Sequence, residues 1–503
     1  MTKISKRDIA KNSGFLYIRM VVMMLISLYT SRIILLQLDE VDFGVYGIVW
    51  SAVSLFSFFN LSMTTASRRC LSFELGKGKD NQYSQVLGSL IRYSLIVGII
   101  IFVLQEVGGL YLLENKLNIP SNRKDEALIS YHIFCGTFFL SVIQIPFSSS
   151  LISQEKIKTF SSISILDSII KLLLVLTLSF IAFDKLIAYS FILLAQQIIV
   201  LVLFSYFSLR KSGVSFKRSS NIDNDINKYL GWNTLGGLSS VGLNQGIQLL
   251  INLFFSPVVN AAQTIATQVR SSVENFTSNI RVSFNPPIIK SCAMRDDKET
   301  IELLSFSVRF SSVAVLLVTV PLIAKLDFIL ELWLVNPPAY TSILCLLFLI
   351  NSIIDNVSTP MVSIIQAKGD IRKYQILTSI VLLSILPVSY FFYKFGAFPE
   401  IYGYCFILSS ILILFIRIVF LRQVVTINTM EIIKLISTQI IVAPVLTLLI
   451  PLTLAYFMND TILDLFIIVL LSIIIVIIVS WFIIIQPKEK KMIVDYLKQK
   501  ANR

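Results

Sequence analysis

The segment Gln85–Val107, QVLGSLIRYSLIVGIIIFVLQEV, is long and apolar enough to cross a lipid bilayer as one helix. A bilayer-crossing helix needs about 20 mostly apolar residues, and such segments recur along the whole chain. We therefore predict an all-α polytopic membrane protein with about 14 transmembrane helices. The predicted spans cover residues 14–37, 42–66, 85–107, 126–150, 161–181, 186–207, 229–255, 258–283, 301–325, 339–366, 374–394, 398–421, 435–457 and 462–485.

The composition excludes a water-soluble globule. Of the 503 residues, 55% are apolar and 15% are charged. In soluble domains, about a quarter of the residues are charged. Most of the 43 Lys and Arg residues fall in alternate loops, on the same side as the N-terminus. By the positive-inside rule, both termini are predicted to be cytoplasmic.

The predicted span 258–283 is too polar for hydropathy to identify it. If this segment did not cross, most of the basic residues in the later loops would face outward, against the positive-inside rule. We therefore predict that it crosses, shielded from lipid by protein or by a water-filled cavity.

An internal repeat appears when the chain is shifted by 217 residues. The shift places Gly14 on Gly231, and it places the run IRYS at 91–94 on the run VRFS at 308–311. Arg92 and Arg309 therefore lie at equal depth in two copies of six spans. An even number of spans per copy indicates a parallel repeat about an axis along the membrane normal.

The repeat predicts the domain organisation. Residues 1–210 form an N-terminal six-helix lobe, 211–228 a cytoplasmic linker, and 229–425 a C-terminal six-helix lobe. Residues 426–503 form two extra helices, a C-terminal hairpin, and a basic cytoplasmic tail. The two lobes are pseudo-symmetric and suit alternating access around a central site.

Charged side chains within the spans are the first functional candidates, because each costs roughly 2.5–3.5 kcal/mol on insertion. Basic residues outnumber acids there, which favours an anionic passenger or counter-ions. We predict a cationic substrate-binding cavity formed by Arg32, Arg92, Lys171, Arg270 and Arg309. Snorkelling to the interface explains other basic residues near helix ends, namely Arg19, Arg281 and Arg417. Lys171 could alternatively neutralise Asp167, four residues before it.

Spans seven and eight carry polar side chains at helical spacing, which places them on one face of each helix. We predict that they line the cavity: Asn244, Gln248, Asn252, Gln263, Thr267 and Glu274. The alternative is hydrogen bonding between the two helices, with Arg270 paired to Glu274.

Asp355, near the middle of span ten, is the candidate for ion coupling by H⁺ or Na⁺. Alternatively, it balances a neighbouring arginine. We expect no metal or other cofactor, because the five cysteines form no CxxC motif and His132 is the single histidine.

Two stretches carry a family resemblance. The residues are 42–47 (DFGVYG) through Arg69 and 73–76 (FELG), then Asn244-Gln245-Gly246, 252–255 (NLFF), Ala261-Ala262, Ile265-Ala266, Gln268-Val269, Phe276, Asn279 and 285–291 (NPPIIKS). They resemble polysaccharide and O-antigen flippases of the multidrug/oligosaccharidyl-lipid/polysaccharide (MOP) exporter superfamily. The resemblance covers about a quarter of the chain closely.

This resemblance implies a flippase that moves undecaprenyl-diphosphate-linked sugars across the bacterial cytoplasmic membrane. It implies a cationic cavity with Arg32, Arg92, Arg270 and Arg309. The expected partners are membrane lipid, the lipid-linked oligosaccharide and other polysaccharide-assembly proteins, with no nucleic acid. The protein is expected to be a monomer and a transporter rather than an enzyme.

Two alternative functions stay open. A multidrug or organic-cation antiporter of the same superfamily would need an acid-rich cavity, whereas bases predominate within the spans here. A membrane glycosyltransferase or polymerase would need a sizeable extramembrane loop with clustered carboxylates or histidine. The longest predicted outer loop, residues 108–125, has no such cluster.

Overall fold

The computed structural model describes residues 6–76, 80–154, 156–210, 238, 241–294, 296–367, 372–425 and 429–491. The predicted linker 211–228 and the tail beyond residue 491 lie outside these ranges. The side chains of several residues named above also lie outside the described set, among them Arg69, Phe73, Asn279, Arg281 and Asn285. Nearly all described residues are helical and none of them lies in a strand, which confirms the predicted all-α fold class.

Seven helices form the first part of the chain. They are α1 (Lys6–Ser54), α2 (Ser57–Gly76), α3 (Asp80–Leu104), α4 (Leu110–Asn115), α5 (Lys124–Ser153), α6 (Ile157–Leu176) and α7 (Lys185–Leu209). A π-helical turn at Gln105–Gly109 joins α3 to α4. α1 breaks at Asp39, whose φ of 61° and ψ of 171° lie outside helical geometry.

The second part contains α8 (residues 241–254), α9 (Pro257–Ala293), α10 (Asp297–Ala324), α11 (Leu326–Leu334), α12 (Thr341–Ser358), α13 (Pro360–Ala367), α14 (Arg372–Lys394), α15 (Ile401–Val424), α16 (Thr429–Ser437), α17 (Ala443–Phe457) and α18 (Ile462–Val479). A π-helical turn at Thr438–Val442 joins α16 to α17, and another at Ser480–Ile484 extends α18. Residues 487–491 begin a further helix.

The helix positions follow the predicted 217-residue shift. α3 begins at Asp80 and α10 at Asp297, 217 positions apart. The same interval separates Lys124 and Thr341, where α5 and α12 begin. It also separates the break at Asp39 from residue 256, in the break between α8 and α9. The sequence repeat is therefore a repeat of helices.

Eleven helical segments of the described residues are long and apolar enough to cross a membrane. The chain is a multi-pass membrane protein. A count of 14 spans is compatible with this number, because α1 contains two predicted spans, α8 is described only from residue 241, and α9 is highly polar. The crossing of α9 stays a prediction.

The helices group into two compact units. Unit 1 comprises Met1–Thr264 and Tyr390–Pro399, and unit 2 comprises Ile265–Ser389 and Glu400–Arg503. The core of unit 1 packs α2, α3, α5, α6 and α7 around residues such as Leu87 and Leu151. The core of unit 2 packs the C-terminal part of α9 with α10, α12, α13, α15 and α16. α8 belongs to unit 1, although the repeat assigns it to the second lobe, and the predicted lobe boundaries stay a prediction.

A charged cluster in unit 1 fixes three chain segments. Arg123 Nε donates to Asp42 Oδ1 at 2.7 Å, and Arg123 Nη1 donates to Asp184 Oδ2 at 2.6 Å. Asp184 Oδ1 also accepts from the backbone N–H groups of Leu186 and Ile187, which caps α7. One arginine thus ties the start of α5 to α1 and α7.

Two glycines of α1 lie where helices of unit 1 pack closely. A Cβ atom on Gly44 of α1 would overlap the carbonyl oxygen of Pro257, where α9 begins. A Cβ atom on Gly47, one turn later, would lie 2.8 Å from Thr264 Oγ1. At Gly44, where the clashing atom is backbone, only glycine permits so close an approach.

We expect the change Gly44→Ala to cost about 1–3 kcal/mol of stability, because the clashing partner is backbone and cannot rotate away. Gly136→Ala in α5 is the matched control, since nothing lies within 4 Å of a Cβ atom there. That change should leave stability unchanged or raise it by about 0.5–1 kcal/mol. Thermal unfolding of the detergent-purified proteins measures both, and equal melting temperatures would contradict the close approach.

The crossing of α9 is testable by labelling single cysteines in a cysteine-free variant. Ser256 and Asp296 are exposed residues just outside the two ends of α9. We expect an impermeant maleimide added to intact cells to label Ser256→Cys, and to label Asp296→Cys only after permeabilisation. Labelling of both positions from outside would show that α9 does not cross the membrane.

Candidate functional site

The predicted site residues divide between the two units. Unit 1 contains Arg32, Arg92, Lys171, Asn244, Gln248, Asn252 and Gln263, and unit 2 contains Thr267, Arg270, Glu274, Arg309 and Asp355. Thr267 lies half-buried on α9, one turn before Arg270.

Arg270 has the most developed surroundings of the predicted cations. Its Nε donates to Glu274 Oε1 at 2.8 Å, one turn along α9. The guanidinium carbon lies 4.3 Å from the ring centroid of Phe406 and 5.5 Å from that of Phe348. Cation–π contacts of this kind contribute about 0.5–2 kcal/mol. The guanidinium is therefore held by its edge and by its face.

The aromatic rings beneath Arg270 are themselves fixed. Phe348 of α12 and Phe406 of α15 are 3% and 6% exposed, and their ring centroids lie 5.8 Å apart. α12 and α15 come close because residue 403 is glycine: a Cβ atom there would lie 2.7 Å from Leu347 Cδ1. The packing of two neighbouring helices thus determines where Arg270 points.

The contacts of Arg270 leave part of its donor set available. Glu274 occupies Nε, and among the described residues no hydrogen-bond acceptor contacts Nη1 or Nη2. Parallel N–H donors of a guanidinium match two oxygens of a phosphate or carboxylate group. The Arg270 side chain is 16% exposed and that of Glu274 41%, so a ligand can reach this group.

Asp355 lies on the same face of α12 as the ring under Arg270. Phe348, Asn351 and Asp355 are spaced three and four residues apart, which stacks them along one side of the helix. Asn351 Nδ2 donates to Asp355 Oδ2 at 3.2 Å, while the fully buried Asn351 Oδ1 has no partner among the described residues. Carbonyl and carboxylate oxygens are the ligands that hard cations prefer.

The alternative role for Asp355 is to balance a neighbouring arginine. In the described part of the chain, Asp355 makes no ion pair with an arginine. Arg417 is the basic residue nearby, and it donates through Nη1 to Ser358 Oγ. Its Nε donates to Tyr374 Oη at 3.2 Å. The Asp355 carboxylate accepts from Asn351 instead.

Arg309 has a partner that no pattern in the sequence identifies. Its Nη1 donates to Glu489 Oε1 at 2.6 Å, and both side chains are 9% exposed. Glu489 Oε2 also accepts from the backbone N–H of Gln486, at 2.8 Å. Glu489 lies 180 residues away from Arg309, beyond the last predicted span, so neither spacing nor the repeat links the two.

The predicted cations of unit 1 lie on α1, α3 and α6. Arg32 and Lys171 are half-buried on α1 and α6. Arg92 Nη2 donates to Ser89 Oγ at 3.1 Å, within α3. Asp167 accepts from Gln196 Nε2 at 2.5 Å, and it makes no ion pair with Lys171 within the described ranges.

The polar residues of span seven form interhelical and helix–loop hydrogen bonds. Gln248 Nε2 donates to Asn260 O and to Thr264 Oγ1, both at 3.1 Å, and Asn260 Nδ2 donates back to Gln248 O at 2.7 Å. Asn252 exchanges two hydrogen bonds with the backbone of Asn118. The bonds of Gln248 are those of the alternative interpretation, whereas Asn252 bonds to a loop instead of to span eight. Both side chains are buried.

The remaining two lining candidates of unit 1 differ in exposure. Asn244 is exposed on α8. Gln263 is 3% exposed, and its Oε1 has no partner among the described residues. Lining of a transport cavity by the predicted polar set therefore stays a prediction. Over the described ranges, no group of three His, Cys, Asp or Glu side chains could hold a metal ion.

Comparisons with known proteins bear on the fold. A family model described as MatE matches residues 17–177. The solved structure of the lipid II flippase MurJ in an inward closed conformation aligns with a TM-score of 0.67 and 13% identity, covering 94% of this chain and 98% of that one. No curated protein matches the sequence.

Two further solved structures support the same fold. A MOP-superfamily transporter from Pyrococcus furiosus aligns with a TM-score of 0.58 and 15% identity, covering 84% of this chain and 96% of that one. A mutant form of the Vibrio cholerae MATE transporter VcmN aligns with a TM-score of 0.55 and 14% identity, covering 83% and 98%. These proteins are transporters and a flippase, so the fold gives no support to the transferase alternative. The chain has the fold of the MOP-superfamily transporters.

Proposed function

We propose that this protein is a flippase that translocates undecaprenyl-diphosphate-linked oligosaccharide units across the bacterial cytoplasmic membrane by alternating access. The observation that carries the proposal is the guanidinium of Arg270, clamped by Phe406, Phe348 and Glu274 with two donor nitrogens left for a ligand. The likeness of fold to a lipid II flippase supports it. We further propose a monomer with cytoplasmic termini, working beside other polysaccharide-assembly proteins.

The physical reason for an arginine lies in the charge of the passenger. A pair of opposite charges 4 Å apart is worth about 4 kcal/mol at an effective dielectric constant of 20. The interaction offsets part of the cost of moving a diphosphate out of water. Because Phe406 and Glu274 already fix the guanidinium, little side-chain entropy is lost when the phosphate binds.

The net charge of the site must come from more than Arg270. Glu274 offsets the charge of this arginine, although the exposure of Glu274 lets solvent weaken the effect. We propose Arg32, Arg92 and Lys171 as further cations that the passenger meets during transport. Arg309 supplies no excess charge, because Glu489 neutralises it. The glycan would occupy water while the lipid tail stays in the bilayer.

An organic-cation antiporter is the second candidate. The exposed carboxylate of Glu274 favours it, as does the likeness of fold to a multidrug MATE transporter, which has a TM-score of 0.57 and 14% identity over 84% of this chain. A cationic substrate would depend on Glu274, whereas an anionic substrate would depend on Arg270. The two residues therefore separate the two functions.

Substitutions at these two residues test the proposal in cells that rely on this protein for surface glycan. We expect Arg270→Gln to lower glycan display about tenfold or more, since a loss of about 1.4 kcal/mol already changes a rate or an affinity tenfold. Arg270→Lys should retain more activity than Arg270→Gln, and Glu274→Gln should stay near wild type. Arg422→Gln, at the exposed end of α15, is the control.

Membrane levels of folded protein are compared by size-exclusion chromatography for every variant. Loss of function in Glu274→Gln with retention in Arg270→Gln would favour the antiporter. Equal losses in Arg270→Lys and Arg270→Gln would show that guanidinium shape, and not charge alone, is required.

We also propose that Asp355, with Asn351 beside it, holds the coupling ion, H⁺ or Na⁺. The unpartnered buried oxygen of Asn351 and the carboxylate of Asp355, which has no ion pair among the described residues, support this site.

We expect Asp355→Asn in proteoliposomes to abolish the acceleration of flipping by imposed pH or sodium gradients. Flipping without a gradient should persist. Asp464→Asn, at an acid in the first turn of α18, is the control. A gradient response retained in Asp355→Asn would exclude this residue from coupling.

A further inference from the structure

Unit 2 contains a second polar feature that the proposed transport cycle does not use. A cavity of about 530 Å³ lies between α10, α13, the α16–α17 turn and the end of α18. Ligand pockets in proteins typically measure about 300–1,000 Å³. All of its described lining residues belong to unit 2.

The cavity combines a basic rim with apolar walls. Three exposed lining residues lie in segments that the charge pattern assigns to the cytoplasmic side. They are Lys298 in the first turn of α10, Lys434 in the last turn of α16, and Lys488 in the helix that begins at residue 487. The walls are aliphatic, formed by residues such as Leu304, Met361 and Leu435. A basic rim above apolar walls suits an amphipathic ligand rather than a small hydrophilic one.

Two acidic residues, Glu302 and Glu431, also line the cavity. Lys488 Nζ lies 3.6 Å from Glu302 Oε1, with side chains 83% and 65% exposed. Exposed pairs at this distance contribute little, so a phosphate can displace the carboxylate. Arg309 at the inner end is already bound to Glu489, which leaves the rim lysines to receive an anion.

One lining residue of the cavity carries a buried acceptor. Gln439 is 1% exposed, and its Oε1 has no hydrogen-bond partner in the described part of the chain. It lies in the π-helical turn Thr438–Val442, and the second π-helical turn, Ser480–Ile484, supplies Ile483 and Ile484 to the same cavity. π-helical turns occur frequently at functional sites. A ligand that donates from a hydroxyl group would satisfy Gln439.

We propose that this cavity binds the headgroup of an anionic phospholipid from the cytoplasmic leaflet, with a phosphodiester and free hydroxyl groups, as in a phosphoglycerol headgroup. The phosphate contacts the rim lysines, and a glycerol hydroxyl donates to Gln439 Oε1. Ile433 of α16 and Phe482 of the Ser480–Ile484 turn are 48% and 74% exposed and give the acyl chains an apolar surface. This site is independent of the proposed flippase function.

Native mass spectrometry of the delipidated full-length protein tests the site. The probes are dimyristoyl phosphatidylglycerol, phosphatidic acid and phosphatidylcholine. We expect phosphatidylglycerol to bind most tightly. Lys434→Gln/Lys488→Gln should weaken its binding about tenfold or more, since each lysine near a lipid phosphate contributes on this scale. The control pair Lys373→Gln/Lys491→Gln removes two exposed lysines outside the cavity and should change binding less than about twofold.

The role of Gln439 has its own readout. Gln439→Leu should lower the affinity for phosphatidylglycerol to that for phosphatidic acid, which lacks the glycerol hydroxyls, and leave phosphatidic acid binding unchanged.

Glycerol 3-phosphate should not displace the lipid. The proposal fails if phosphatidylcholine binds as well as phosphatidylglycerol, or if both lysine pairs weaken binding equally. Displacement by free glycerol 3-phosphate would assign the cavity to a soluble ligand instead. Melting temperatures confirm that each variant is folded.

Discussion

A polar group at membrane depth must find its partner inside the protein, and this constraint explains most of the polar contacts within the helices. Gln248 and Asn260 satisfy each other across two helices, and Arg309 is bound to Glu489. The predicted crossing of α9, which carries many polar residues, requires other helices to cover it. A polar group with unused hydrogen-bonding capacity is therefore a candidate for ligand binding. Arg270 keeps two nitrogens without a partner among the described residues, in a site that is otherwise built from fixed contacts.

The sequence predicted the helices well because hydropathy is set by neighbouring residues along the chain, and because the repeat shows the same order of segments twice. The starts of α3 and α10, and of α5 and α12, follow one shift of 217 residues. The partners of site residues were harder to predict, since they depend on how helices are rotated against each other. Gln248 illustrates this: its spacing places it on a polar stripe, but only packing shows that the stripe faces Asn260. The aromatic platform under Arg270 carried no distinguishing signal, because phenylalanines are abundant throughout the chain.

The two copies of the repeat have different surroundings at the same position. Arg92 and Arg309 occupy corresponding places in α3 and α10, yet Arg92 contacts Ser89 of its own helix and Arg309 contacts Glu489. Glu489 follows the C-terminal hairpin, which has no counterpart after the first copy. At the C-terminal end of α10, Lys325 Nζ donates to Asp460 Oδ1 at 2.7 Å, in the turn of the same hairpin. Two basic residues, one near the middle of α10 and one at its end, therefore anchor the added helices.

The sequence analysis placed Arg270 and Arg309 in one set of substrate-binding cations. Their contacts indicate two different roles. A buried arginine that loses its carboxylate partner leaves an unpaired charge, at a cost of about 3–5 kcal/mol. Arg309 and Glu489 are both 9% exposed, so exchanging Glu489 for a passing phosphate in every transport cycle would repeat this cost. Arg270 has a more exposed partner and spare donors, and it can engage and release an anion without uncovering a buried charge. Reversible substrate binding therefore suits Arg270, and stable attachment of the hairpin suits Arg309.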